Sequence, residues 1–193
     1  MPHHFFAYLS RMKHIRRWGL MRNTLPENDM EHAMQAAMIA HGLALLGNTR
    51  FGRGYNPERA MALALYHDAS EVITGDLPTP IKHNNPQIKA EYHKIERVAV
   101  RRLLEMLPDD MRKAFRPLLE ADPQSPEWPL VRAADKLCAY IKCLEETKAG
   151  NTEFLEARDS LLATLHASPL PEVQAFIADF VPGFGMSLDQ ISR

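Results

Sequence analysis

Cysteine, net charge and long apolar segments are all scarce in this 193-residue sequence. The two cysteines, Cys138 and Cys143, point to different faces of one predicted helix, and we expect both to be buried, reduced thiols. The 23 lysines and arginines nearly balance the 24 aspartates and glutamates, and a formal net charge of -1 supplies no overall field to attract nucleic acid or an anionic membrane. The composition therefore predicts neither of these as a partner.

Apolar runs are short throughout the sequence. No window approaches the roughly eighteen apolar residues of a membrane span, and the apolar stretch near the N-terminus is too short for a signal peptide. We therefore expect a cytoplasmic protein. A length of 193 residues with 46% hydrophobic residues predicts a single domain, residues 1–193, with a sizeable core.

The sequence also lacks the apolar and polar alternation of β-strands, and its apolar residues recur at helical spacing instead. The predicted fold class is all-α. The predicted helices cover, in order, about residues 5–12, 30–46, 57–74, 86–106, 109–119, 130–149, 153–166 and 171–180. The second helix is expected to stop at Gly47-Asn48, and the third to run unbroken to Gly75.

The third predicted helix carries an imidazole and two carboxylates, His67, Asp68 and Glu71, within one turn. All three side chains can project to one side of a helix. Residues 61–66 and 72–73 on either side are almost entirely apolar, which indicates a buried helix. Burying an ionised carboxylate is costly unless a cation or partner compensates, and a divalent metal suits His and Asp together. Since a His-Asp pair also arises by chance, a metal site requires further ligands.

Two other predicted helices supply candidate ligands, His32 and Asp135. With His67 and Asp68 they form a set of two nitrogens and two oxygens, suited to one divalent ion such as Mn²⁺, Co²⁺, Fe²⁺ or Zn²⁺. Taken alone, His32 would equally be a solvated residue in a first helical turn, and Asp135 an ion-pair partner of a neighbouring basic residue. The ordered set of four favours the metal.

The order His, then His-Asp, then Asp resembles that of the HD-domain metal-dependent phosphohydrolases, and the surroundings resemble the bacterial 5'-deoxynucleotidases among them. The match covers nearly the whole chain and is most specific over residues 66–82. The other matching segments are residues 17–22, 27–28, 31–32 and 134–140. This chain departs from the pattern at Asp29-Met30, where family members often have Val-Ser, and at Ala33, where they often have Ser.

The resemblance implies a compact HD-domain helical bundle and a homodimer. It also implies an enzyme that hydrolyses deoxyribonucleoside 5'-monophosphates to deoxynucleosides and phosphate. Two alternatives stay open: an HD phosphohydrolase acting on a nucleoside polyphosphate or phosphodiester, and a non-catalytic HD module that binds a nucleotide. The scarcity of clustered basic residues argues against a heavily charged substrate, and the intact ligand set argues against a non-catalytic module.

Glu71 and Asp76 are the candidate catalytic residues. Glu71 neighbours the ligands and is the best candidate to orient or deprotonate the attacking water, although a salt bridge to a basic residue is an alternative role. Asp76 follows Gly75 in a loop expected to lie over the metal. The resemblance implies that Asp76 meets the sugar or the leaving oxygen, whereas a Gly-Asp pair alone equally indicates a turn.

Arg17, Trp18 and Thr79 are the candidate substrate contacts. The Arg17 guanidinium offers paired donors to phosphate oxygens, and the Trp18 ring would form one wall of the sugar site. Alone, the pair would more often be a basic turn with a packed indole. The resemblance implies that both contact substrate and that the aromatic residue rejects a ribose 2'-hydroxyl. Thr79 is a candidate phosphate contact, although Pro78-Thr79-Pro80 would equally form a rigid loop.

Overall fold

The computed structural model describes residues 2–78 and 85–192, and within these ranges the chain is helical with no β-strand. The predicted all-α fold class is confirmed. The α-helices are, in chain order, α1 (Phe5–Leu9), α2 (Asp29–Phe51), α3 (Pro57–Tyr66), α4 (Glu71–Thr74), α5 (Pro86–Glu105), α6 (Asp109–Leu119), α7 (Trp128–Lys148), α8 (Leu155–His166), α9 (Pro171–Asp179), α10 (Val181–Phe184) and α11 (Leu188–Ile191). Two short 3₁₀ helices cover Ser10–His14 and Thr152–Phe154. None of the helices in these two ranges is long and apolar enough to cross a membrane.

The α2 helix begins at a complete capping box. The Asn28 side chain accepts hydrogen bonds from the backbone N–H groups of Met30 and Glu31, and the Glu31 carboxylate accepts one from the Asn28 N–H. The helix continues to Phe51, where Gly52 takes the left-handed conformation with φ 62°. The cap fixes the direction in which the first turn of α2 presents its side chains to the site.

The expected end of α2 at Gly47-Asn48 is wrong, because both residues lie inside the helix. A Cβ atom at residue 47 would lie 2.6 Å from Cε2 of Tyr55, so this glycine admits a close aromatic contact rather than ending the helix. Asn48 fixes the same loop, since its side chain accepts from the Tyr55 N–H and donates to the Tyr55 carbonyl, both at 2.9 Å.

The main hydrophobic core lies between α2 and the three helices packed around it, α3, α7 and α9. Its fully buried side chains include Leu43 of α2, Leu63 of α3, Leu137 and Ile141 of α7, and Val173 of α9. Burying one such side chain contributes roughly 1.5–3 kcal/mol, so this core is what fixes α2, α3 and α7 relative to one another. These helices, and the turn that follows α3, carry the predicted metal ligands.

A second apolar cluster covers the other side of the predicted site. Phe5 of α1 is buried and meets Phe115 of α6 edge to face, with ring centroids 5.0 Å apart. Leu103 of α5 packs in the same cluster, together with Ala33 of α2 and Ala69 of the turn after α3. The His-Asp turn is therefore packed on a second set of helices besides the main core.

The helix expected over residues 57–74 is two helices, α3 and α4, separated by a turn at residues 67–70. Within this turn, backbone hydrogen bonds join residues three apart rather than four. The His67 ring also donates from Nδ1 to the Ala64 carbonyl oxygen at 2.6 Å. With Nδ1 held by this bond, the other ring nitrogen, Nε2, faces the carboxylates of Asp68 and of Asp135 on α7.

Candidate active site

The four predicted metal ligands, His32, His67, Asp68 and Asp135, converge at one point, and we refer to them as the metal cluster. His32 Nε2 lies 3.3 Å from Asp135 Oδ1 and 3.7 Å from Asp68 Oδ2. His67 Nε2 lies 3.1 Å from Asp68 Oδ2 and 3.9 Å from Asp135 Oδ1. Residues from α2, from the turn after α3 and from α7 are thus brought together, while their roles as ligands stay predictions.

The buried imidazoles of the metal cluster leave ring nitrogens without partners. His32 is 1% exposed, and within the described ranges neither of its ring nitrogens, nor Nε2 of His67, has a hydrogen-bond partner. Buried polar atoms without partners are rare and costly. One ligand atom from each of His32, His67 and Asp135 lies within 4.8 Å of the others, and imidazole with carboxylate is a donor set for first-row divalent ions. The residues present therefore fit a divalent metal.

The charges of the metal cluster also perturb one another. Burial by itself would lower the pKa of His67, but the carboxylates of Asp68 and Asp135 outweigh it and raise this pKa well above the ordinary value. Burial would raise the pKa of both carboxyls, yet the two imidazoles lower it well below the ordinary range instead. A metal that binds here displaces an imidazole proton, so binding is expected to weaken as the pH falls.

Arg17 lies against the metal cluster. Its Nη1 atom donates to Asp68 Oδ2 at 3.3 Å and lies 3.9 Å from Asp29 Oδ1. Two backbone hydrogen bonds of 3.1 Å fix this position, one from the Arg17 N–H to the Glu27 carbonyl and one from the Asp29 N–H to the Ile15 carbonyl. Burial would lower the pKa of Arg17, but the surrounding carboxylates, Asp68 first, raise it, so the guanidinium keeps its charge. A fixed cation beside a metal site is suited to bind an anion.

Trp18 adopts a backbone conformation that is uncommon for a residue with a side chain. Its φ of 56° lies in the left-handed region. The indole N–H donates to Glu27 Oε2 at 2.9 Å, and the ring packs against Phe154 with centroids 5.4 Å apart. These contacts hold the indole beside Arg17 although the backbone conformation costs on the order of 1–3 kcal/mol.

Two of the remaining predicted residues, Glu71 and Asp76, lie in α4 and just after it. Glu71 is buried at the start of α4, three residues after Asp68. Asp76 follows Gly75, whose φ is 73°, and its charge is among those that raise the pKa of Arg17. The catalytic roles of both stay predictions. Thr79 lies outside the described residues.

Two further acidic residues contact the site, Glu27 and Asp29, and neither was predicted from the sequence. Glu27 approaches Trp18, Arg17 and His32. Asp29 is fully buried, and burial, followed by the charge of Asp68, raises its pKa to about 7. Acidic residues are common near a helix start because they interact favourably with the helix dipole, so their position alone indicated no site. The one sequence feature that marked Asp29 was its departure from the family pattern, which often has Val at this position.

Solved structures with a similar fold include two HD phosphohydrolases. An HD-domain phosphohydrolase of Listeria innocua matches with a TM-score of 0.81 at 22% sequence identity, covering 97% of this chain and 94% of that protein. The HD phosphohydrolase of cyanophage S-2L, solved with dA and one catalytic Zn²⁺ ion, matches with a TM-score of 0.61 at 22% identity, covering 92% of this chain and 94% of that one. The predicted HD-domain fold is confirmed.

Several curated proteins are much closer in sequence. A 5'-deoxynucleotidase of Erwinia tasmaniensis is 54% identical over 191 residues, and one of Yersinia pestis (strain Pestoides F) is 55% identical over 190 residues. Each alignment covers 98% of this chain and 96% of the relative. The model of the YfbR-like 5'-deoxynucleotidases matches residues 4–184. This chain therefore belongs to the YfbR-like 5'-deoxynucleotidase family.

Proposed function

We propose that the protein is a metal-dependent phosphomonoesterase that hydrolyses deoxyribonucleoside 5'-monophosphates to deoxynucleosides and phosphate. The observation that carries this proposal is the metal cluster with the charged, buried Arg17 hydrogen-bonded to it at Asp68. A divalent ion and a guanidinium are two groups that neutralise phosphate oxygens effectively, and here they would act side by side. The family of the chain supports a deoxynucleotide as the substrate.

His32, His67 and Asp135 would hold one divalent metal ion, together with Asp68, whose Oδ2 lies beside both imidazoles. When bound, such an ion supplies charge neutralisation at the phosphoryl group and lowers the pKa of water. Two imidazoles in the set favour a transition metal or zinc over Mg²⁺, which prefers oxygen ligands. The zinc in the cyanophage protein is in line with this preference.

Arg17 and Glu71 would act on the reacting groups. Arg17 donates its N–H groups to the phosphate, so the substrate competes with Asp68 for the guanidinium, which now makes a 3.3 Å contact with that carboxylate. Glu71 is proposed to accept the proton of the attacking water, because its carboxylate is buried three residues from Asp68. Water adds to phosphorus, the bond to the 5'-oxygen breaks, and that oxygen takes up a proton.

Asp76, Trp18 and Thr79 would act on the rest of the substrate. Asp76 is proposed to meet the sugar or to supply the proton to the leaving oxygen, because it follows Gly75 at the end of α4, the helix that begins at Glu71. Trp18 is proposed to pack on the deoxyribose where a 2'-hydroxyl would otherwise lie, and Thr79 to contact phosphate. Broad base tolerance follows if these sugar and phosphate contacts dominate recognition.

We further propose a cytoplasmic enzyme of deoxynucleotide metabolism that is built from one domain and acts as a homodimer. An exposed row of methionines, Met30, Met34 and Met38, follows one face of α2 and lines an open groove of about 500 Å³ with Leu25. Exposed apolar surface of this kind is typical of subunit contacts. The two apolar clusters share α2, which supports a single domain.

A panel of ribo- and deoxyribonucleoside 5'-monophosphates, assayed with Mn²⁺, Co²⁺, Zn²⁺, Mg²⁺ or a chelator, tests the proposal. We expect hydrolysis of several deoxynucleotides, weaker hydrolysis of the matching ribonucleotides, loss of activity with chelator, and better recovery with a transition metal than with Mg²⁺. Preference for a nucleoside triphosphate or a phosphodiester in the same panel would favour another HD phosphohydrolase. Binding without turnover under every metal would favour a non-catalytic module.

A further inference from the structure

We infer that Glu27 is a positioning residue that sets the sugar selectivity of the site by holding the indole of Trp18. This inference rests on the proposed function, because selectivity concerns the deoxynucleotide substrate. Glu27 precedes α2, and its side chain is 13% exposed. A nearly buried carboxylate with several polar contacts is held in one orientation and can hold its neighbours in turn.

The Glu27 carboxylate reaches three residues of the site at once. Its Oε2 atom accepts the hydrogen bond from the Trp18 indole at 2.9 Å and lies 3.6 Å from Nε of Arg17. Its Oε1 atom lies 3.8 Å from Nδ1 of His32. The indole contact is the shortest of the three and the one with hydrogen-bond geometry, so Trp18 is the residue that Glu27 fixes most directly.

Trp18 requires such a partner because its backbone does not favour the observed conformation. At φ 56° the chain is held in place by other contacts rather than by its own preference. The Glu27 carbonyl accepts from the N–H of Arg17, and the Asn23 side chain donates to the Trp18 carbonyl at 3.2 Å. These two bonds hold the backbone, whereas the carboxylate of Glu27 holds the ring itself, which also packs on Phe154.

The Trp18 indole can exclude a ribonucleotide only if the ring is held in place. An indole without its hydrogen bond would shift, and the space for a 2'-hydroxyl would open. The charge of Glu27 and its hydrogen bond can be separated by substitution, because a glutamine amide oxygen still accepts from the indole while its charge toward Arg17 is lost.

The experiment compares Glu27→Gln and Glu27→Ala with Glu58→Ala as the control. Glu58 is an exposed glutamate in the first turn of α3. Specificity constants are measured for one deoxynucleoside 5'-monophosphate and its ribonucleotide. We expect Glu27→Ala to lower the deoxy-to-ribo ratio at least about fivefold, and the other two variants to stay within about twofold of the unmodified protein.

Fluorescence of Trp18 in a Trp128→Phe background gives a readout that does not depend on turnover. We expect Glu27→Ala to shift the emission of Trp18 to longer wavelength, and Glu27→Gln to leave it in place. If Glu27→Ala folds poorly, Trp18→Phe removes the same hydrogen bond from the donor side and should lower the ratio in the same direction.

Three results would overturn the inference. They are an unshifted emission in Glu27→Ala, an unchanged sugar ratio in that variant, and loss of bound metal from it, which would place the effect of Glu27 at His32 instead. Absence of nucleotidase activity in the unmodified protein would contradict the proposed function, while the fluorescence comparison would still test whether Glu27 holds the indole.

Discussion

Two clusters of acidic and basic side chains in the described part of the protein differ in how fully their polar atoms find hydrogen-bond partners. In the metal cluster, three imidazole nitrogens have no hydrogen-bond partner in the described ranges. In the second group, which we call the anchor cluster, Glu146 and Lys142 of α7 form a buried ion pair. Glu146 also accepts hydrogen bonds from Thr24, Leu25 and Asn151, and Lys142 donates to the Leu25 carbonyl.

The difference separates a structural role from a functional one. Both clusters remove charge from water, which is costly in each case. In the anchor cluster the chain offsets this cost with its own donors, and hydrogen bonds from Lys142 and Thr24 lower the pKa of Glu146 against the effect of burial. The result ties the loop before α2, which carries Trp18, to α7. In the metal cluster the described residues leave three buried imidazole nitrogens without partners, which is the arrangement expected of a site that binds a metal ion.

The largest effect on activity is expected when the metal cluster loses a ligand. Asp68→Ala should lower activity on the order of 10⁴-fold, the size of effect seen when a member of a catalytic unit is removed. The assay is turnover of a deoxynucleoside 5'-monophosphate with saturating Mn²⁺ or Co²⁺. An Asp68→Ala variant within tenfold of the unmodified protein would remove Asp68 from the metal cluster.

The anchor cluster should instead respond in stability. Glu146→Ala leaves Lys142 buried without its partner and should lower the free energy of unfolding by about 3–5 kcal/mol, as for other broken buried pairs. The variant of its exposed neighbour, Glu145→Ala, is the control and should change this free energy by less than about 1 kcal/mol. Chemical denaturation measures both. Folded Glu146→Ala should keep its bound metal, and loss of metal would erase the distinction between the two clusters.

The pH dependence of the Glu146 contribution follows from the lowered pKa of this carboxyl in the folded protein. The stabilisation is complete above the ordinary glutamate pKa of 4.5 and is lost as the pH falls toward the lower folded value. The stability difference between the unmodified protein and Glu146→Ala should therefore shrink below about pH 4.5. A constant difference down to about pH 3 would contradict the ion pair.

Within the site, Glu71 should behave differently from the metal ligands, because it is proposed to act on water rather than to hold the metal. Glu71→Ala should keep its metal and still bind a deoxynucleotide, while turnover falls about 10²-fold or more. Metal analysis, calorimetry and a turnover assay on one sample check this. Loss of metal would make Glu71 a ligand, and near-normal turnover would leave it with the salt-bridge role only.

Asp29 is expected to give the smallest effect. Its pKa of about 7 means that the folded protein keeps a proton there which the unfolded chain releases above the ordinary value of 3.8. The free energy of unfolding should therefore fall as the pH rises from about 3.8 to about 7. Asparagine carries no such proton, so over this pH range the stability of Asp29→Asn should rise by about 1–2 kcal/mol relative to the unmodified, chelator-treated protein. Thermal melts at about pH 4, 6 and 8 test it. A gain that does not vary with pH would contradict the raised pKa.

The helical fold was predictable because apolar spacing is a local signal, and the metal cluster was predictable because its residue types recur in a characteristic order along the chain. Apolar spacing gives the helices, and the order of His and Asp residues gives the candidate ligands. The end of α2 was predicted wrongly because the small size of Gly47 serves a contact with Tyr55, eight residues further on, and does not stop the helix. The turn at residues 67–70 was missed because neither glycine nor proline marks it, and the His67 ring bonds to a carbonyl instead.

The supporting residues could not be predicted, because their roles depend on contacts between distant parts of the chain. Glu146 meets Thr24 at a separation of 122 residues. Glu27 matters through its side-chain contacts with Trp18 and His32, which no helical spacing encodes. Sequence reasoning thus found the residues of the metal cluster and missed those that position its surroundings.

Metal titration of the chelator-treated protein, followed by calorimetry, tests the central claim most directly. The comparison is between the unmodified protein, Asp135→Ala and Glu145→Ala, with Mn²⁺ and Zn²⁺ as the probes. We predict one ion per chain in the unmodified protein and in Glu145→Ala, weaker binding as the pH falls, and loss of most binding in Asp135→Ala. Unchanged stoichiometry and affinity in Asp135→Ala would contradict the claim that the imidazole nitrogens and carboxylates of the metal cluster form the metal site.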